Sequence, residues 1–143
     1  MLGKTELDNL LSLGQLKPAK VNDAEIRALI ASGAARLVDA DKQELAIESR
    51  FDLAYGAAHS FAVAALRRLG YRSENRITVF QALAHTLGTS MPAIRTLVNC
   101  HRVRNAMEYD GAAVVDEKLV SALVSAAATV QAELATAMAK EKS

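Results

Sequence analysis

The strongest helix signal in the chain lies in residues 44–70, which read ELAIESRFDLAYGAAHSFAVAALRRLG. Inward-facing side chains recur there at the three- and four-residue spacing of a helix, and Gly70 suits the left-handed residue that often follows one. We therefore predict a helix from Glu44 to Leu69, the longest in the chain. Its inward residues form two stripes: Ile47, Phe51, Ala54, Ala58, Phe61, Ala62, Ala65 and Leu69, and Tyr55, His59, Val63 and Leu66.

Two inward faces imply that other helices pack on both sides of this segment. Five alanines and one glycine between Gly56 and Ala65 let neighbouring backbones approach closely. Only 4% of the residues are aromatic, and seven glycines and two prolines are few for a chain of tight turns. We therefore expect an all-α fold, a mainly antiparallel bundle of four to five helices with short loops.

Capping residues indicate where the other helices begin. Asn22 and Glu25 have the spacing of a capping box. Ser90 can cap a helix whose first turn tolerates Pro92, and Asp116 can cap the last helix. The other helices are predicted at about 2–13, 22–40, 77–87, 90–109 and from 116 onward, with a polar loop at 71–76.

Length and composition favour one domain. The chain has 143 residues, of which 51% are hydrophobic and 23% charged. We assign residues 1–143 to a single helical domain with a core at about 44–130, on which N-terminal helices at 2–40 pack. The net charge of +1 lacks the basic excess of a protein that coats duplex nucleic acid. The single Cys100 excludes a disulfide framework and a cysteine-rich zinc site.

The sequence does not predict a membrane segment or an exported protein. The apolar runs Leu53–Leu66 and Leu119–Ala132 have fourteen residues each, too few to cross a bilayer. Lys4, Glu6 and Asp8 occupy a region where a signal peptide needs an apolar core. We therefore expect a cytoplasmic protein that does not contact a membrane.

The predicted helix at 90–109 changes character along one face. That face is apolar at Ile94, Leu97 and Val98 but polar further along. Buried polar groups are costly unless they are paired or hydrated, so this change needs a reason. The polar part of the face comprises His101, Arg104, Asn105, Glu108 and Tyr109.

This polar face has two interpretations. As a functional site, Arg104 can hold a phosphate or carboxylate through two hydrogen bonds, Asn105 can orient a base or ribose, and His101 can transfer a proton near neutral pH. As a structural network, Arg104 pairs with Glu108, His101 bonds another helix and Tyr109 covers the bundle.

The sequence HRVRNAMEYDG at residues 101–111 resembles the end of the motif helix in HEPN (higher eukaryote and prokaryote nucleotide-binding) domains. RFDLAY at 50–55 and LGYR at 69–72 are similar to a HEPN branch with a Tyr-Asp-Gly ending. The resemblance covers roughly residues 44–130. It implies a helical bundle, generally dimeric, of the kind found in toxins paired with nucleotidyltransferase antitoxins and in RNA-processing systems.

The resemblance also implies a chemistry and its residues. Active members cut RNA without metal, using an Arg followed by a polar residue and then a His, and the motifs of two protomers face each other. Arg104 and Asn105 match the first two positions. Tyr109 stands where the shortest-spaced His would be. Flanking positions Arg50, Tyr55, Glu108 and Asp110 are candidate binding residues by the same resemblance.

The missing histidine matters for catalysis. RNA cleavage needs a group that takes the 2′-hydroxyl proton and one that protonates the leaving oxygen. Arg104 cannot be a base near neutral pH, and Tyr109, with a reference pKa of about 10, is a poor one. His101, three residues before Arg104, is a candidate substitute. Alternatively, the branch has lost nuclease activity.

One further histidine is a candidate. His59 lies on one face of the long helix with Tyr55 and Asp52, where it can face Arg104 or simply belong to the core. Three scattered histidines and no carboxylate cluster predict no metal site, and no motif predicts a cofactor.

Three functions remain open from the sequence. The first is a toxin-like homodimer that cleaves or binds RNA or a nucleotide through an Arg-centred cleft. The second is an inactive module that binds a nucleotide or a nucleotidyltransferase partner, with Tyr109 as a modification target. The third is a structural dimer whose polar face only fixes helix register.

Overall fold

The computed structural model describes residues 3–109 and 114–141, and over these the chain is an all-α bundle, as predicted. Four long helices make up most of it, and the shorter elements connect or cover them. In chain order the elements are α1 (Lys4–Ser12), β1 (Lys17–Pro18), α2 (Asp23–Ala40), α3 (Ile47–Arg67), β2 (Tyr71–Arg72), α4 (Arg76–Gln81), α5 (Leu83–Thr86), α6 (Met91–Tyr109) and α7 (Glu117–Glu141).

The predicted helix caps are confirmed, with one correction. Asn22 Oδ1 accepts the Glu25 N–H at 3.1 Å, and Asp116 Oδ1 accepts the Leu119 N–H at 2.8 Å. The Glu25 carboxylate does not return to Asn22 as in a full capping box. It accepts from Arg67 Nη2 at 3.1 Å instead, which ties the start of α2 to the end of α3.

Helices α2 and α3 run antiparallel along their whole length. Arg67 meets Glu25, Phe61 packs at Gly33, and Arg50 reaches Ala40, so the α2 number rises as the α3 number falls. A Cβ at Gly33 would lie 2.6 Å from the Phe61 ring. The absence of a side chain at Gly33 therefore allows the two helices to approach this closely.

Helix α7 runs parallel to α3, whereas α2 and α6 run antiparallel to α3. Arg50 pairs with Glu117 near the start of α7, and Arg68 just after α3 pairs with Glu141 at its end. Helix α6 runs back along α3, and α7 then reverses again after α6. Two reversals bring α7 into the direction of α3, so the bundle is only mainly antiparallel.

The structure corrects three of the predictions about secondary structure. Helix α7 has 25 residues and α3 has 21, so the predicted longest helix is only the second longest. The helix predicted at 77–87 is interrupted at Ala82, and within the predicted loop at 71–76 Tyr71–Arg72 pairs antiparallel with Lys17–Pro18. Two-residue strands leave no alternation of polar and apolar residues that a sequence could reveal.

Helix α7 is long and apolar enough to cross a membrane by length and composition alone. In the bundle it packs against α3, and 33% of its most apolar window is buried. After its charged first residues, Glu117 and Lys118, the exposed positions in the first half are small: Ser121, Ala122, Ser125, Ala128 and Thr129. The absence of membrane contact stays a prediction.

Candidate functional site

The polar face of α6 borders an open cavity of about 500 Å³. Helices α2, α3 and α4 contribute the other walls, so the cavity gathers side chains that are distant in sequence. It is lined by Arg36, Asp52, Tyr55, Gly56, His59, Ser60, Arg76, Arg104, Met107 and Glu108, and we call it the cleft.

The floor of the cleft is Tyr55, which is only 2% exposed. The guanidinium carbon of Arg104 lies 5.1 Å from the centre of its ring, and that of Arg76 lies 5.8 Å away. The π face of a tyrosine attracts cations, which helps to hold two guanidinium groups near the same ring. Tyr55 thus brings α4 and α6 cations together above α3.

A hydrogen-bonded chain supports Tyr55 from behind. Its Oη lies 2.8 Å from His101 Nδ1, and His101 Nε2 lies 3.2 Å from Asn105 Nδ2. An amide nitrogen only donates, so with Asn105 in this orientation Nε2 accepts and the imidazole proton sits on Nδ1. His101 therefore donates to Tyr55. Neither His101 nor Asn105 is among the residues that line the cleft.

Two cleft arginines have no described carboxylate partner. Arg36 Nη1 donates to Ser60 Oγ at 3.3 Å, and Arg76 Nη1 approaches Tyr55 Oη at 3.5 Å. Within residues 3–109 and 114–141 neither forms an ion pair. Arg104 pairs with Glu108 at 3.4 Å, but the Glu108 side chain is 53% exposed, so this pair contributes little. The cleft therefore offers an excess of positive charge.

Both histidines near Tyr55 are held neutral. Burial, followed by the charges of Arg76, Arg104 and His101, lowers the pKa of His59 to about 4. Burial and the neighbouring arginines also lower the pKa of His101. At neutral pH the positive charge of the cleft thus comes from its arginines alone.

Asp52 of α3 and Glu108 of α6 are the two carboxylates that line the cleft, and Asp52 has a shifted pKa. Burial raises its pKa, and the charge of Glu108 acts in the same direction, while Arg104 opposes both. The side chain remains exposed. Arg36 and Arg76 form no ion pair with a carboxylate in the described part of the chain. An anion that enters the cleft therefore gains these two arginines as partners without displacing a carboxylate from either.

The structure brings together only part of the predicted site. Four predicted residues line the cleft, and two more stand behind its floor. Tyr109 is 81% exposed at the end of α6 and does not cover the bundle. Asp110 lies outside the described residues. The four lining residues are Tyr55, His59, Arg104 and Glu108, and the two behind are His101 and Asn105.

Arg50 is placed elsewhere, in a structural role. It is 5% exposed, its Nε donates to Ala40 O at 2.8 Å, and its Nη1 donates to the Glu117 carboxylate at 2.8 and 3.1 Å. It therefore joins the end of α2, the first turn of α3 and the start of α7. Arg50 is not among the residues that line the cleft.

Two arginines of the cleft were missed by the sequence analysis. Arg36 is an exposed residue of α2, and Arg76 opens α4 after its capping residue Asn75. Neither belongs to a motif, and only the packing of α2 and α4 on α3 brings them to Tyr55. Gly56 is no signal for Arg36 either, because a Cβ there would lie 3.4 Å from Arg36 Cδ, an ordinary contact.

Other chemistries find no support in the described part of the chain. Residues 3–109 and 114–141 contain no group of three or more His, Cys, Asp or Glu side chains that could hold a metal ion. Cys100 is fully buried, and burial raises the pKa of its thiol to about 11. Its thiol is therefore protonated and inert at neutral pH.

Comparisons with family models, with curated proteins and with solved structures found no match. The chemistry of the cleft therefore rests on its own residues.

Proposed function

We propose that this protein binds RNA through the cleft, with a backbone phosphate held by Arg36, Arg76 and Arg104. The observation that carries this proposal is the convergence of three guanidinium groups, from α2, α4 and α6, on one cavity. Arginine forks match phosphate oxygens and are commonly used to bind them. Two of these arginines form no ion pair with a described carboxylate, so binding an anion separates no existing pair of theirs.

The cavity suits single-stranded rather than duplex RNA. Its volume of about 500 Å³ is of the size that small-ligand sites have, and it is local rather than a long basic stripe. The net charge of +1 also disfavours coating of a duplex. Together with the resemblance of Arg104 and Asn105 to the HEPN motif, this supports a HEPN-like component of a toxin–antitoxin type system.

RNA cleavage is a second candidate, and His59 is the observation that favours it. His59 lines the cleft, is neutral at neutral pH, and has no hydrogen-bond partner among the described residues. In such a reaction its nitrogen takes the 2′-hydroxyl proton while the 2′-oxygen bonds to phosphorus. The 5′-oxygen leaves with the returned proton, giving a 2′,3′-cyclic phosphate, and the arginines balance the added charge.

Binding is tested by fluorescence anisotropy with a labelled, mixed-sequence single-stranded RNA in EDTA. Arg76→Ala and Arg104→Ala should each weaken binding roughly tenfold, since a charge-assisted hydrogen bond contributes about 1.5 kcal/mol or more. Arg102→Ala is the matched control for Arg104→Ala, because Arg102 is an exposed arginine of α6 that does not line the cleft. Affinity should also fall as salt rises.

Either of two outcomes ends the RNA proposal. One is a wild-type protein that binds no RNA at low salt. The other is equal weakening by Arg102→Ala and Arg104→Ala, which would indicate diffuse attraction instead of a site. Gel analysis of the same mixtures tests cleavage, for which His59→Asn should abolish any product that wild type forms.

We also propose that the protein is a homodimer, as the HEPN resemblance implies. Two large apolar side chains support this: Tyr109 is 81% and Val114 is 82% exposed, and they stand on either side of residues 110–113. Light scattering after gel filtration should give twice the chain mass of 15.3 kDa. A wild-type mass equal to that of one chain, with the same mass for Tyr109→Ser, contradicts the dimer.

A further inference from the structure

We propose that the Tyr55 hydroxyl donates a hydrogen bond to the bound phosphate. His101 is then a positioning residue that keeps the hydroxyl hydrogen directed into the cleft. The inference rests on the proposed function, since it assigns roles at the same site. It differs from the motif-based interpretation of His101 as the group that transfers protons to or from RNA.

The argument begins with the donors around Tyr55 Oη. His101 Nδ1 lies 2.8 Å away and carries the imidazole proton, because Asn105 Nδ2 donates to the other ring nitrogen at 3.2 Å. Arg76 Nη1 lies 3.5 Å away and can only donate. Both described polar neighbours of the hydroxyl therefore donate to it.

The hydroxyl proton is left without an acceptor. A phenol accepts through its lone pairs and donates through its single proton, and no described residue accepts that proton. Tyr55 is 2% exposed but lines the cleft, so a ligand held in the cleft, more than bulk water, can accept from its hydroxyl. Because a buried, unused donor is costly, a ligand oxygen that accepts this proton is stabilised. The three arginines favour an anionic oxygen in that place.

His101 is badly placed to act on RNA itself. It is absent from the lining of the cleft, and both of its ring nitrogens are occupied, one by Tyr55 and one by Asn105. A proton-transferring group must reach the reacting oxygen directly or through one water. His101 acts instead through Tyr55, in the way that a supporting residue fixes the orientation of a group that touches the ligand.

Glutamine is the informative replacement for His101. Its amide nitrogen can donate to Tyr55 Oη and its oxygen can accept from Asn105 Nδ2, which reproduces the donor and acceptor of this histidine. Glutamine cannot transfer a proton near neutral pH. His101→Gln should therefore preserve RNA binding and any cleavage, whereas His101→Leu removes the donor and frees the hydroxyl to turn.

The test uses the full chain and the same labelled RNA in EDTA. We expect Tyr55→Phe and His101→Leu each to weaken binding roughly five- to tenfold, and His101→Gln to stay within about twofold of wild type. Adding His101→Leu to Tyr55→Phe should cause no further loss, because the histidine acts only through the hydroxyl. Tyr71→Phe is the matched control, since its hydroxyl donates to Asp8 outside the cleft.

The outcomes separate this inference from the proposed function. RNA bound equally well by wild type and Tyr55→Phe overturns the inference and leaves the RNA proposal standing. Additive losses in the double variant, or an inactive His101→Gln in a protein that cleaves, overturn the positioning role. A wild type that binds no RNA overturns both. Thermal melting of each variant identifies any that fails to fold. If a His101 variant does not fold, Tyr55→Phe, which removes only one oxygen, still tests the inference.

Discussion

Tyr55 Oη lies 2.8 Å from His101 Nδ1, and this contact joins α3 to α6 beneath the floor of the cleft. It places His101 behind a tyrosine instead of in the lining of the cleft. The histidine that lines the cleft is His59, one turn along α3 from Tyr55, with its ring parallel to the tyrosine ring within 2°. The chemistry of the cleft is therefore carried by α3 as much as by the motif helix.

The neutral state of His59 predicts a loss of stability in acid. Its pKa is about 4 in the folded protein, whereas an unfolded histidine titrates near 6.5. Between about pH 6.5 and pH 4 the unfolded chain binds a proton at this histidine that the folded chain does not bind. The stabilisation of the folded state by neutral His59 is therefore complete above about pH 6.5 and is lost as pH falls towards 4. The full loss is about 3 kcal/mol.

Urea unfolding at about pH 7 and about pH 4.5 measures this loss. We expect wild type to lose more free energy of unfolding between the two pH values than His59→Asn, whose side chain does not titrate. His101, whose pKa is lowered as well, contributes in the same direction in both proteins. An identical pH dependence of the two proteins would show that His59 is not held neutral.

Arg50 should matter for stability and not for RNA. Arg50→Ala leaves the buried Ala40 carbonyl without its donor and breaks the contact with Glu117, so we expect a loss of about 2 kcal/mol in free energy of unfolding. RNA affinity should stay at the wild-type value under conditions where the variant is folded. Weakened RNA binding by a folded Arg50→Ala protein would instead return Arg50 to the binding site.

Two glycines in the α2–α3 contact should respond in opposite ways to alanine. At Gly33 the new Cβ would lie 2.6 Å from Phe61, so we expect Gly33→Ala to destabilise the protein by about 1 to 3 kcal/mol. At Gly56 the nearest atom is Arg36 Cδ at 3.4 Å, an ordinary contact. Gly56→Ala should therefore gain up to about 1 kcal/mol from helix propensity. Thermal melting of both variants checks this pair, and a neutral Gly33→Ala contradicts the close approach.

Most of the fold was predictable because it rests on local signals. Helical periodicity marks α2, α3, α6 and α7, and the side chains of Asn22 and Asp116 cap helices as predicted. The parallel course of α3 and α7 and the pairing of β1 with β2 were not predictable. Both depend on how distant segments meet, and two residues per strand carry no pattern of their own.

The cleft was predictable only in part, for the same physical reason. The polar face of α6 interrupts an apolar stripe and so drew attention to Arg104, which lines the cleft. Arg36 and Arg76 gave no signal, since in the sequence they resemble any solvated arginine until α2 and α4 pack on α3. The role of His101 depends on the position of Tyr55, 46 residues away in sequence.

The most direct test of the central claim is an NMR titration of the arginine side chains with single-stranded RNA. The Nε–Hε signals of Arg36, Arg76 and Arg104 should shift along one common binding curve, because all three line the cleft. Those of Arg68 and Arg102 lie outside it and should stay in place. Shifts confined to the latter two, or none in any arginine at saturating RNA, would contradict an RNA-binding cleft.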